Sequence, residues 1–304
     1  MKTRKHDVTF WLFLVPAIVA FLFVIVIPFF LGFYYSFTNW TSRPQPAGPE
    51  FVGLANFINS FQDSRFLYSF IITTLYTVMN VLLINVVAFG LALLVTSKIR
   101  LKNMFRAGFF IPHLIGGLIL GYIWQFIFNV FIPNQQLLTA LFPALAEPGN
   151  LVLANVNSAL GGLVVAGAWQ YAGYIMMIYI AAIVSVPGEL FEAGRIDGAS
   201  PLYELLHITI PMTAQAFTVT LFLTLVHSFK QFDVNVSLTG GGPATEFMER
   251  AIPGTELLAL NIYNTAFVRN DLAQSQARSV IFFIVVVTVS ILQVRANKKR
   301  EVEM

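Results

Sequence analysis

The 304-residue chain contains no cysteine, which excludes disulfides, thiolate metal sites and a cysteine nucleophile. It is also poor in charge. Asp, Glu, Lys and Arg make up 11% of it against 57% hydrophobic residues, and a mean hydropathy of +0.74 lies outside the range of a soluble domain. No Gly-rich Walker loop ending in Lys-Ser/Thr is present, so the chain does not hydrolyse ATP by that route. His6, His113, His207 and His227 are isolated and lack metal-ligand spacing. The apolar runs hold no acids, which counts against ion coupling in a stand-alone secondary transporter. No catalytic cluster and no metal site are expected.

What is present is a series of long stretches free of Asp, Glu, Lys and Arg: 8–42, 66–97, 107–146, 148–188, 205–229 and 279–294. A helix needs about 20 apolar residues to cross the hydrocarbon layer, and helices satisfy their own backbone there. The expected fold is an all-α membrane protein of six transmembrane helices, near 10–37, 66–96, 107–131, 158–185, 208–229 and 278–294. These form one transmembrane domain over 10–294, between a short N-terminus (1–9) and a basic tail (295–304). Arg278 stands at the start of the last and shortest span. The first apolar run is too long for a signal peptide and no small-residue cleavage site follows it. Pro16, Pro28 and Pro112 are expected to kink or begin helices.

The net charge is only +3, so its distribution is the informative feature. Lys2, Arg4 and Lys5 precede the first span; Lys98, Arg100, Lys102 and Arg106 lie between the second and third; Arg295, Lys298, Lys299 and Arg300 follow the last. The loops of the other side carry fewer Lys and Arg, and the third-to-fourth loop has none. Positive-inside bias therefore predicts both termini, and residues 186–207, in the cytoplasm. The longest loop of the opposite side runs from Lys230 to Ala277 and holds "LTGGGPATEF", where Gly240, Gly241 and Gly242 before Pro243 permit a tight, irregular path.

The segment 186–207 is too polar to span and too apolar for a free linker. "GELFEAGRI" sets Leu190, Phe191 and Ile196 among charges, Gly198 interrupts, and Ser200-Pro201 is a good N-cap and first-turn pair. A helix, a glycine turn and a second helix are predicted. Glu189, Glu192, Asp197 and Glu204 against Arg195 disfavour anionic lipid as the surface it meets, leaving a protein groove as the partner or a solvated elbow with none.

"EAGRIDGASPLYELLHITIP" resembles the EAA loop of permease subunits in binding-protein-dependent ABC importers, with Glu192, Ala193, Gly198, Ile208 and Pro211 on the pattern. Gly194 stands where that pattern has a second Ala, and Ile210 where it has Leu. "FVGLANF" (51–57), "SFKQFDVNVSLTGGGP" (228–243) and "IYNTAF" (262–267) are similar to the carbohydrate-uptake branch, and "AQSQARSVIFF" with the basic tail to multiple-sugar and raffinose-type permeases. The resemblance implies a multi-pass subunit of a bacterial or archaeal cell membrane that forms half of a sugar path. It binds no cofactor, while ATP and Mg stay on the partner ATPase. The implied partners are a second permease, two ATP-binding subunits or an ATPase homodimer, an extracytoplasmic sugar-binding protein, the lipid bilayer and the sugar, with no nucleic acid. A coupling helix around Glu192, Ala193 and Gly198, anchored by Leu190, Phe191 and Ile196, would seat in the ATPase; Gly240, Gly241, Gly242 and Pro243 would meet the binding protein.

A sugar needs hydroxyl-directed hydrogen bonds and an aromatic face. Where such permeases make their pocket, this chain offers Gln170, Tyr171 and Tyr174 on the fourth span and Thr224, His227, Ser228 and Gln231 along the fifth. The same residues serve equally as interhelical hydrogen bonds or interfacial aromatics. Lys230 and Arg278 are expected at span ends, either as gate or binding-protein contacts or snorkelling to the interface. A neutral oligosaccharide is the expected solute; a non-sugar or glycerol-phosphate-type solute is the alternative, the latter requiring more fixed cation than the spans contain.

Overall fold

The structure is a computed structural model and describes residues 3–42, 45–46, 48–97, 99–134 and 151–298. Lys2, Lys98, Lys299 and Arg300, used above for orientation, lie outside the described residues, as does most of the third-to-fourth loop. Among the described residues, four helical segments are long and apolar enough to cross a membrane: Phe10–Tyr35, Ser64–Thr96, Val156–Ser185 and Leu272–Lys298. The other two expected spans are bent pairs. Lys102–Leu114 and Gly117–Phe131 meet at 99°, and Pro201–Met212 and Ala214–Phe229 at 70°, so six spans result only if each pair counts as one. Among the described residues the helical class has one addition, a two-stranded antiparallel hairpin of β1 (Ala244–Phe247) and β2 (Arg250–Pro253). The chain divides into two compact units, 1–63 with 262–283, and 64–261 with 284–304.

In the first unit, α1 (Thr3–Phe21) carries Pro16 and passes through a five-residue π-helical segment, Leu22–Val26, into α2 (Ile27–Tyr35). Pro28 cannot donate to the residue four before it, and the wide turn immediately upstream absorbs the missing bond. Then comes α3 (Ala55–Gln62). Buried polar side chains hold this unit together. Asn56 Nδ2 donates to the Ser36 and Thr38 carbonyls (2.9 and 2.7 Å), and Gln274 Nε2 donates to the Asn56 carbonyl and Ser60 Oγ (3.0 and 2.8 Å). Arg278 is 2% exposed. Its Nη2 pairs with Asp63, its Nη1 donates to Thr265 Oγ1 at 2.8 Å, and Arg269 joins the same carboxylate at 3.2 Å. Arg278 is therefore a buried, paired cation and does not snorkel to the interface. The last helix consequently begins at Leu272, six residues before the predicted start. A charge that ends an apolar run in sequence does not end a helix when an acid awaits it.

The second unit is built on α4 (Ser64–Thr96), a bent pair of α5 (Lys102–Leu114) with α6 (Gly117–Phe126), and α7 (Val156–Ser185). It continues through α8 (Gly188–Ile196), α9 (Pro201–Glu204), a π-helical segment Leu205–Thr209, α10 (Ile210–Met212) and α11 (Ala214–Phe229). After α12 (Asp233–Leu238) and the hairpin come α13 (Leu258–Phe267) and α14 (Leu272–Lys298), the last two shared with the first unit. Lipid gives helices no hydrophobic reason to associate, so small residues and polar pairs do the joining. A Cβ on Gly173 would overlap the Phe109 carbonyl oxygen, and one on Gly121 would overlap Ser237. These glycines let α5 approach α7, and α12 approach α6. The core of α4 and α7 is correspondingly small-sided, with Ala88, Ala92, Ala168 and Ala172 around Ile84, Ile175 and Tyr179. Pro112 sits in the last turn of α5, and the chain goes extended at Ile115, which is the 99° break.

Removing one partner of a buried ion pair costs about 3–5 kcal/mol, mostly the charge left behind. Asp63→Asn is expected to lower the unfolding temperature of the detergent-solubilised protein by an amount in that energy range, and adding Arg278→Met to recover part of the loss. An unchanged transition in Asp63→Asn would show that Arg278 is not held by this pair.

Candidate functional site

Two places gather the sequence candidates, both within the second unit. The first is the elbow between α7 and α11. After α8, Gly198 takes φ +82°, a left-handed conformation that favours glycine, and Ser200 Oγ caps the next helix by accepting from the Tyr203 amide at 3.3 Å. Arg195 then reaches across the turn, Nε to Glu204 Oε1 at 2.9 Å. This bond and the Glu204 charge raise the guanidinium pKa above its ordinary value. Glu204 is thus spoken for inside the elbow, while Glu189 and Glu192 stay exposed.

The elbow's apolar side chains are uncovered. Ile196 is 86% exposed and Leu202 64%, with Leu190, Tyr203 and Leu206 also exposed; Phe191 is half-buried. Ala193 lies on the exposed side with Glu192. Where the EAA pattern would have a second Ala, Gly194 faces Ile208, whose Cδ1 would stand 3.2 Å from a Cβ there.

The second place is a cavity of about 460 Å3 beside the end of α11, lined by Tyr171, Phe222, His227, Lys230, Gln231 and Asp233 among others. His227 stacks flat on Tyr171, ring centroids 3.8 Å apart and 7° between planes. The stack continues through His113, which meets Tyr171 edge-on at 5.4 Å and lies against Tyr174 at 4.8 Å. His113 was passed over in sequence because it is alone in its run; only the α5–α7 contact brings it to the tyrosines. Lys230, at the cavity, is exposed.

The seven pocket candidates separate. Tyr171, His227 and Gln231 line the cavity, whereas Tyr174 stands behind them against His113. Gln170 donates from Nε2 to the Ile115 carbonyl (3.0 Å), satisfying backbone freed by the break after α5. Thr224 and Ser228 do not reach the cavity. They are fully buried and accept from Asn85 Nδ2 (3.0 Å) and Asn80 Nδ2 (2.8 Å) of α4. For Gln170, Thr224 and Ser228 the interhelical alternative describes the geometry.

The glycine loop is tied to the same region. Gly240 and Gly241 have φ +58° and +88°. Asn235, fully buried on α12, donates to the Thr255 carbonyl (2.8 Å) and accepts from the Leu257 amide (3.1 Å). Nearby, Glu256 is 0% exposed, held by a bidentate pair with Arg65 and by Asn261 Nδ2 at 3.1 Å. Among the described residues no group of three or more His, Asp or Glu side chains is placed to hold a metal ion.

No family model matches the chain. Among curated proteins it is 41% identical over 308 residues to the probable starch degradation products transport system permease protein AmyD of Thermoanaerobacterium thermosulfurigenes, covering 100% of this chain and 98% of that one. It is 29% identical over 292 residues to the multiple sugar-binding transport system permease protein MsmF of Streptococcus mutans, covering 96% of each. Among solved structures, a chain of a bacterial ABC transporter involved in import of the acidic polysaccharide alginate superposes with a TM-score of 0.78 at 18% identity, over 98% of both chains. That likeness establishes the fold.

Nothing lies within 4 Å of a Cβ at position 198, so substitution there tests the backbone alone. Gly198→Ala is expected to cost about 1–2 kcal/mol for the left-handed conformation, and Gly198→Pro more, because proline fixes φ near −65°. Amide hydrogen exchange should rise over 188–206 and stay unchanged in α4 and α7. Equal protection in the variants would show that the turn does not need this conformation.

Proposed function

The chain belongs to the permease subunits of binding-protein-dependent sugar ABC importers, and from that membership we propose that it forms half of the path for a neutral oligosaccharide and takes its motion from an ATPase through the elbow at Glu192. The cavity beside α11 carries the solute reading. It joins a flat ring surface, Tyr171 with His227, to the Gln231 amide, the combination that suits a sugar's apolar face and its hydroxyls. Its charges are Lys230 and Asp233, one of each sign. A phosphate-bearing solute would favour an excess of fixed cation, so the balance supports a neutral one. The product class named for AmyD, starch degradation products, agrees with an oligosaccharide.

The elbow supports the coupling reading. Ile196 and Leu202 are exposed on a fold fixed by Gly198, the Ser200 cap and the Arg195–Glu204 pair. Apolar side chains presented on a rigid bent element are suited to a groove in a partner, and Glu189 and Glu192 beside them to its basic groups. In this reading the elbow lies on the cytoplasmic face of a cell membrane, ATP and Mg are bound by the partner, and closure of two ATPase domains draws the elbows of two permeases together. The extracytoplasmic binding protein delivers sugar at the other face, near Gly240–Pro243.

ATP-dependent oligosaccharide uptake by the reconstituted complex tests both parts. Gln231→Ala is expected to lower uptake about 10-fold with assembly intact, the upper end of one lost hydrogen bond. Glu192→Lys with Ile196→Asp is expected to release the ATPase on purification. Full uptake in the first variant would remove the cavity, and a stable complex in the second would remove the elbow as the docking element.

A further inference from the structure

We propose that Tyr76 is a positioning residue that holds the Gln231 amide at the cavity wall, so that its other end is presented to the solute; this rests on the cavity reading above. Gln231 follows α11 and is 6% exposed. Its Nε2 donates to Tyr76 Oη of α4 at 3.4 Å. An amide side chain has one donor end and one acceptor end, and only its partners decide which is presented. With one end of the amide committed to Tyr76, the other is left as the group for the cavity, where it suits a sugar hydroxyl.

The Tyr76 side chain is itself closely packed. The ring is 0% exposed and packs with Ile72, Leu160 and Leu163. A Cβ on Gly167 of α7 would stand 2.6 Å from Oη and 3.3 Å from Asn80 Oδ1, so this glycine leaves room for both oxygens and nothing larger. Asn80 spends its Nδ2 on Ser228 (2.8 Å), and its buried Oδ1 has no hydrogen-bond partner among the described residues. Tyr76 does not itself line the cavity and reaches the lining through its hydrogen bond to Gln231, so its influence on the solute runs through that amide.

Uptake by the complete reconstituted complex, with saturating binding protein and maltotriose as the probe, is measured per assembled complex for Tyr76→Phe, Gln231→Ala and the double variant. Tyr179→Phe, which loses bonds to Asn85 and Thr220 and none to Gln231, serves as the control. Tyr76→Phe keeps the ring and is expected to lower uptake about 3- to 10-fold, the worth of one hydrogen bond, with assembly unchanged. The double variant should be no slower than Gln231→Ala alone, whereas Tyr179→Phe should multiply with Gln231→Ala as an independent site does. Multiplying effects of Tyr76→Phe and Gln231→Ala, normal uptake in Tyr76→Phe beside impaired Gln231→Ala, or lost assembly in Tyr76→Phe would each overturn the proposal. Normal uptake in Gln231→Ala would instead remove the cavity reading beneath it.

Discussion

A polar side chain inside a hydrocarbon layer has no water to fall back on, and the arrangement of the second unit follows from meeting that demand. Between α4, α7 and α11 runs a ladder of buried bonds. Tyr179 Oη donates to Asn85 Oδ1 (2.8 Å), Thr220 Oγ1 donates to Tyr179 Oη (2.7 Å), and Asn85 Nδ2 donates to Thr224 Oγ1 (3.0 Å). Above it Asn80 reaches Ser228 and Gln231 reaches Tyr76. Each rung has value because leaving the same group unpaired in lipid is costly. Together they fix which faces of three helices meet, and the cavity is the place where the ladder stops and Gln231, His227 and Tyr171 turn to open space.

The first unit solves the same problem with charge. Asp63, Arg269 and Arg278 gather with Thr265, and Asn56 and Gln274 stitch chain segments more than 200 residues apart. The stretches that carried the family resemblance, "FVGLANF", "IYNTAF" and "AQSQARS", supply Asn56, Thr265, Gln274 and Arg278. Their chemistry in this structure is architectural: Asn56 binds carbonyls, Thr265 receives Arg278, and Gln274 bridges to Ser60. Such a stretch can identify a family and still say nothing of what the family carries.

The elbow was legible because its signals are local. A glycine in the left-handed region, a Ser-Pro cap and an apolar minority among acids all act over a few neighbouring residues, and the structure has that helix, turn and helix at the expected positions. The Arg195–Glu204 bond was hidden because the turn must fold before residues nine apart can meet. The bent pairs were hidden for a related reason. Counting apolar residues measures how much chain suits lipid, and it is blind to the direction of the backbone, so the breaks after Leu114 and Met212 passed as continuous spans.

Sequence alone determined that the chain is rich in membrane-compatible helices, where the polar elbow interrupts them, and which polar residues stand near the end of α11. It could not divide those residues. His227 and Ser228 are neighbours in the chain yet point about 100° apart on a helix, so one stacks on Tyr171 while the other is buried against Asn80. Helical spacing states which residues share a face; only packing states what that face meets. The position of α4 against α11 gave Thr224 and Ser228 to the ladder, left His227 and Gln231 to the cavity, and brought in Tyr76 and His113 from distant runs, because contacts between helices depend on their placement in space rather than on their separation along the chain.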